Sequence, residues 1–145
     1  MAPPKKIARR PNVRCTAHRA RRGVASFLEI VPVAHVKRAR AAVMRENLSG
    51  REMVRLAHAS AQTIAGIIAL KRALVSLVRA TSTSVVAARD IELSHAGNGA
   101  PRLLSFAKKR GAVAPFKKDI RLSVSHTKTH AFAIAVHCRK GETNG

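Results

Sequence analysis

Residues 122–136, LSVSHTKTHAFAIAV, constrain the fold more than any other stretch of the chain. Two runs that alternate at period two flank the polar stretch His126-Thr127-Lys128-Thr129-His130. Such alternation describes two half-buried strands. Leu122 and Val124 share a face of the first, and Phe132, Ile134 and Val136 share a face of the second. The other face of the second run is alanine alone (Ala131, Ala133, Ala135), so another element must approach it closely. A polar Ser-His-Thr group at the end of such a strand is where catalytic or phosphate-binding groups are often displayed.

The core that covers these strands must be aliphatic, because 46% of the residues are apolar but only 3% are aromatic. At 145 residues the chain is long enough for one domain with a real core. Its 28 Lys and Arg against 7 acids give a net charge of +21. That balance predicts an acidic partner: nucleic acid, an anionic surface, a polyphosphate ligand or an acidic protein. Residues 1–22 are dense in Lys and Arg and hold no acid, which predicts a flexible basic arm able to contact phosphates. Residues 23–138 read as the folded domain and 139–145 as a polar tail.

The two cysteines, Cys15 and Cys138, form no CxxC pair. This argues against a disulfide framework or a cysteine-based zinc site and fits a reducing, cytoplasmic setting. Arg21-Arg22 precedes an apolar run, but Glu29 interrupts it, and no export signal is expected. No uninterrupted apolar run reaches the roughly 18 residues of a membrane-spanning helix, so none is expected.

Residues 24–36 read as a strand, with Pro32 suggesting an edge or a strand end. Glu29, the only acid before Glu46, is costly in such a strand unless it is paired, protonated, bound to a cation or turned to solvent. Residues 34–46 read as a helix with a basic face of Lys37, Arg38, Arg40 and Arg45. Residues 47–50 break it, and Ser49 or Gly50 then caps a second helix through Met53, Leu56 and Ala57, with Glu52 in its first turn.

Residues 60–79 give the strongest helical pattern. Ile64, Ile67, Ile68, Leu74, Val75 and Val78 bury it on most sides. The stripe Ala65, Ala69, Arg72, Ser76 and Arg79 is small and then polar; it either meets water or forms one face of a site. Residues 85–94 read as a strand, 97–101 as a turn, 102–104 as a short strand and 106–113 as a short helix. The whole is α+β: a small antiparallel sheet packed on one long buried helix, with shorter helices beside it.

No P-loop, GxGxxG, GxSxG or HExxH motif is present. His126 and His130 at i, i+4 would need a helix to form a metal pair, and this segment reads as strand and turn. The order of the pieces says more. A strand with Glu29 is followed by Ala65-Gly66-x-x-Ala69-x-Lys71-x-Ala73-Leu74, then Asp90-Ile91-Glu92, Gly99-Ala100-Pro101 and Ser123-Val124-Ser125-His126-Thr127. This resembles the holo-acyl-carrier-protein synthase family, small trimeric 4'-phosphopantetheinyl transferases, over about residues 23–138.

The resemblance implies transfer of phosphopantetheine from coenzyme A to a serine of an acyl carrier protein. A magnesium ion on the diphosphate and an active site at the interfaces of a homotrimer are implied with it. It casts Glu29, Lys71 and His126 as catalytic, Glu29 also as a metal ligand, and Arg72, Ser76, Ser125 and Thr127 as contacts to coenzyme A. The acidic carrier protein is expected on a basic helix near the start.

The chain departs from that pattern where the metal would be held. The family's second ligand is the glutamate of a Lys-Glu-Ala triplet, here Lys71-Arg72-Ala73. Ser76 replaces an expected lysine, and Ile67 an expected arginine. Arg72 puts a fixed cation where the metal should be, within reach of Glu29, because a guanidinium pairs strongly with a carboxylate. The coenzyme A diphosphate would then be bound through Arg72 without magnesium, or transfer would be impaired or lost. Two readings from other classes stand beside this one. A basic nucleic-acid-binding protein has the charge but no recognisable motif, and four phenylalanines offer little stacking. A non-catalytic scaffold for an acidic carrier protein would keep the fold without the chemistry.

Overall fold

The computed structural model describes residues 16–19, 24–81, 85–95, 97–106 and 119–138. Strands β1 (Thr16–Arg19), β2 (Val24–Pro32), β5 (Ile120–His126) and β6 (His130–Cys138) form one antiparallel sheet in the order β1-β2-β6-β5. Strands β3 (Ile91–His95) and β4 (Pro101–Phe106) form a separate antiparallel pair. Helices α1 (Val33–Arg38), α2 (Arg40–Asn47) and α3 (Gly50–Arg55) lead to the long α4 (Ala61–Thr81). The α+β reading therefore holds.

The stretch 122–136 is a hairpin, with His126 opposite Ala131 and the backbone N–H of Thr127 donating to the carbonyl of His130 at 2.8 Å. Period-two alternation assigns the faces correctly but does not say which is inward. Ala131, Ala133 and Ala135 are at most 1% exposed, whereas Phe132 and Ile134 are each 36% exposed. The inner face is the small one because α4 lies across β2, β6 and β5. Alanine lets a helix come close, and a Cβ placed on Gly66 of α4 would lie 3.2 Å from Val124 Cγ2. Register puts Ala25, Phe27, Glu29 and Val31 of β2 on this helix-facing side.

α4 buries Ile64, Ile68, Leu70, Leu74, Leu77 and Val78 as the centre of the aliphatic core. Its 21 residues are long and apolar enough to cross a membrane, although Lys71 and Arg72 interrupt the apolar run. Those side chains are instead buried within this fold.

Several boundaries differ from expectation for identifiable reasons. The strand expected over 24–36 ends at Pro32, which caps α1 with φ −66° and ψ 129°. The N–H of Val33 then donates to the carbonyl of Thr129 at 2.9 Å, so the new helix starts with a partner for its first free donor. Nor is β2 an edge, for it pairs with both β1 and β6. Part of the expected basic arm, Thr16–Arg19, is itself the edge strand, where one row of backbone groups needs no ladder partner.

The single helix expected over 34–46 is broken at Ala39, whose φ −132° and ψ 36° are not helical. Ser49 caps α3 as expected, in a reciprocal box with Glu52. The strand expected from 85 begins only at Ile91, after a 3-10 turn at Ala88–Asp90 in which the Asp90 carboxylate accepts from the N–H of Ala87. Gly99, with φ +82°, makes the turn into β4 in a conformation that favours glycine. Phe106 ends β4 rather than opening a helix, and the rest of the helix expected over 106–113 lies outside the described residues. The tail 139–145 and residues 1–15 lie outside them as well.

Candidate active site

One row of helix-facing positions on β2 carries an acid. Glu29 sits between Phe27 and Val31, opposite Ala133 of β6, and is 5% exposed. It does not turn to solvent. It lines a cavity of about 490 Å³ together with Arg72, Val75, Ser76 and Arg79 of α4 and residues Val86, Ala87 and Ala88. The polar end of the stripe read on α4 is thus brought to Glu29, while Ala65 and Ala69 are buried. Helical spacing accounts for this, since positions 72, 76 and 79 recur on one face. Arg79 belongs to the site although no role was assigned to it; its place in the stripe was the available signal. The alanines at 87 and 88 carried no such signal.

The cavity therefore holds one carboxylate and two guanidiniums. Arg72 and Glu29 line it together. A divalent ion prefers several oxygen ligands, and carboxylates above all. Among the described residues no three His, Cys, Asp or Glu side chains converge to hold one. The residues that line the cavity with Glu29 do not suit magnesium, because its other two charged groups, Arg72 and Arg79, repel a cation.

Lys71 does not line this cavity. It is fully buried, with its ammonium donating to Glu52 and, at 2.8 Å, to the carbonyl of Asn47. Burial holds its pKa below the usual lysine value of 10.5, against the opposing pull of Glu52. Glu52 Oε1 also accepts from the N–H of Leu93 at 3.1 Å, and Oε2 from that of Ser49 at 2.9 Å. The expected catalytic lysine is thereby a structural tie between α3, α4 and β3. The sequence shows Glu52 only as a capping acid, so this partnership was not legible.

The remaining expected residues lie elsewhere. His126, Ser125 and Thr127 are exposed, at or beside the β5–β6 turn. Ser125 pairs with Phe132 on the outer face, whereas His126 pairs with Ala131 on the helix side. The Thr127 hydroxyl oxygen accepts from the N–H groups of Thr129 (3.2 Å) and His130 (3.1 Å), so it shapes the turn. The carbonyl of Thr127 accepts from Gln62 Nε2 at 3.1 Å, which places the turn beside the first turn of α4. From Gln62 to Ser76 the helix rises roughly 20 Å. Within one chain the turn does not line the Glu29 cavity.

Among the four basic residues read on the first helices, Arg40 is engaged with the carbonyls of Ala57 (3.0 Å) and Ala59 (2.8 Å). Lys37, Arg38 and Arg45 are exposed.

No family model matches the chain. Curated relatives include the holo-[acyl-carrier-protein] synthases of Thermoanaerobacter sp. (strain X514) and Thermoanaerobacter pseudethanolicus (strain ATCC 33223 / 39E). Each is 39% identical over 75 residues, which is 50% of this chain and 53% of the relative. The chain thus spans about half the length of the curated relatives it matches.

Among solved structures, Helicobacter pylori holo-[acyl-carrier-protein] synthase in complex with coenzyme A is 25% identical with a TM-score of 0.57. The match covers 76% of this chain and 96% of that one. The Bacillus anthracis protein in complex with CoA (3',5'-ADP) is 21% identical with a TM-score of 0.59, covering 81% and 96%. The Plasmodium yoelii protein is 18% identical with a TM-score of 0.62, covering 82% and 95%. The chain is thus similar to holo-[acyl-carrier-protein] synthases in sequence over the matched half and in fold over 76–82% of its length.

Proposed function

We propose that the protein acts as a holo-acyl-carrier-protein synthase, moving 4'-phosphopantetheine from coenzyme A to a serine hydroxyl of an acidic acyl carrier protein in the cytoplasm. The observation that carries this reading is the cavity joining Glu29 to Arg72, Ser76 and Arg79. It lies in a fold shared with holo-[acyl-carrier-protein] synthases solved with coenzyme A. In the reaction the serine Oγ bonds to the phosphorus that carries the pantetheine arm. The P–O bond within the diphosphate breaks, and adenosine 3',5'-bisphosphate leaves. In this reading Glu29 takes the serine proton, while Arg72 and Arg79 oppose the charge gathering on the phosphate oxygens. Magnesium is not needed for any of these roles. A guanidinium stabilises that charge less well than a divalent ion, so transfer is expected to be slow.

The active assembly in this reading is a homotrimer. Leu28 and Ile30 of β2 and Phe132, Ile134 and Val136 of β6 share the sheet face turned away from α4, an apolar surface on which Phe132 and Ile134 are each 36% exposed among the described residues. Packing copies on such faces would let the His126 turn of one chain complete the Glu29 cavity of the next. The exposed Lys37, Arg38 and Arg45 suit docking of the acidic carrier protein. The nucleic-acid reading rests on net charge alone, and the same charge serves the carrier protein.

Mass spectrometry of apo-acyl carrier protein after incubation with this protein and coenzyme A tests the proposal. A gain of one phosphopantetheine is expected. Carrier protein that binds but never gains mass would favour the scaffold, and neither binding nor gain would overturn the reading.

A further inference from the structure

We infer that the Glu29 cavity is a metal-independent diphosphate site, in which Arg72 and Arg79 do the work a divalent cation would do. This deepens the transferase reading and rests on it. The argument is one of charge and donor type. The side chains lining the cavity give one negative and two positive charges, Glu29 against Arg72 and Arg79, with the Ser76 hydroxyl beside them. A metal site needs the reverse balance, because carboxylate oxygens both ligate the ion and offset its charge. An anion site needs this one, because a guanidinium offers several N–H donors in a planar fork matched to phosphate oxygens.

Glu29 is 5% exposed, and a carboxylate so placed is stabilised by a cation lining the same cavity. Arg72 stands at the right place to be that cation. Arg79, exposed at the end of α4, leaves the cavity one positive charge in excess. At about 490 Å³ the cavity has room for a diphosphate group and the atoms that flank it. The ligand class is a diphosphate ester, with inorganic pyrophosphate as its simplest probe.

The full chain is titrated calorimetrically with inorganic pyrophosphate and with coenzyme A, once in EDTA and once with excess magnesium. Both ligands are expected to bind in EDTA, and magnesium is expected not to tighten either. Arg79→Ala, at an exposed position, is expected to weaken binding about tenfold by removing one charge-assisted contact. Glu29→Gln gives the two models opposite signs: tighter binding at an arginine site, lost binding at a metal site. Binding that requires magnesium, or that disappears in Glu29→Gln, overturns the inference. Coenzyme A bound only with magnesium would sink the inference and leave the transferase reading standing. Pyrophosphate bound in EDTA, with neither coenzyme A binding nor transfer, would support the site and sink the transferase reading. No binding under any condition would sink the inference outright.

Discussion

Lys71 of α4 and Glu52 of α3 form an ion pair inside the core, at 0% and 3% side-chain exposure. The same carboxylate closes the Ser49 capping box and accepts from the backbone of β3. Removing one member of such a pair leaves an uncompensated buried charge. Lys71→Met is therefore expected to destabilise the fold by about 3–5 kcal/mol. Urea denaturation of the variant against the parent chain checks this, and an unchanged midpoint would refute it.

The pair also makes stability depend on alkaline pH. The folded pKa of Lys71 lies below its unfolded value of 10.5, so between those two values the unfolded chain binds more protons. Stability relative to Lys71→Met should accordingly rise with pH through that window and level off above 10.5. A series of urea midpoints for both proteins across the alkaline range reads the slope. A fall in the difference with pH would reverse the assignment.

The two faces of β6 should respond oppositely to substitution. Ala133, at 1% exposure against α4, has no room for a larger side chain. Ala133→Leu is expected to cost about 1–3 kcal/mol by overpacking. Phe132→Ser with Ile134→Ser, on the outer face, should leave the far-ultraviolet circular dichroism intact and lower the sedimenting mass. Oligomers that survive the double substitution would remove the outer face as the assembly surface.

Arg72→Glu should restore a carboxylate beside Glu29 and convert the cavity to a cation site. Transfer to the carrier protein is then expected to rise and to become sensitive to EDTA, as read by carrier-protein mass. Transfer unchanged in rate and still indifferent to EDTA would show that position 72 does not face the reacting diphosphate.

Much of this was legible because it is local. The alternation in β6 shows which residues share a face, and helical spacing on α4 gathers Arg72, Ser76 and Arg79. The Ser49-x-x-Glu52 spacing announces a helix start. What was not legible depends on partners distant in sequence. Lys71 reads as a catalytic residue until Glu52, nineteen residues away, is seen to take it inside. Apolarity alone also misleads about the inner face of β6. The more hydrophobic side is the outer one, and the alanines are inner because the distance to α4 is set by backbone approach rather than by hydrophobic area. Glu29 could have faced either way until the register of β2 with β6 set it opposite Ala133, on the side that α4 covers.

The distance along α4 between the Thr127 turn and the Ser76 cavity has a genetic counterpart. If each working centre takes its turn from one copy and its cavity from the next, the two kinds of damage need not add. A chain with a disabled turn, such as His126→Ala, mixed with one disabled in the cavity, such as Arg79→Ala, should regain activity that neither has alone. Some interfaces in the mixture would then receive both intact halves. Under the same arrangement dilution should reduce activity faster than it reduces the amount of protein, because the catalytic unit would be the contact between chains rather than the chain.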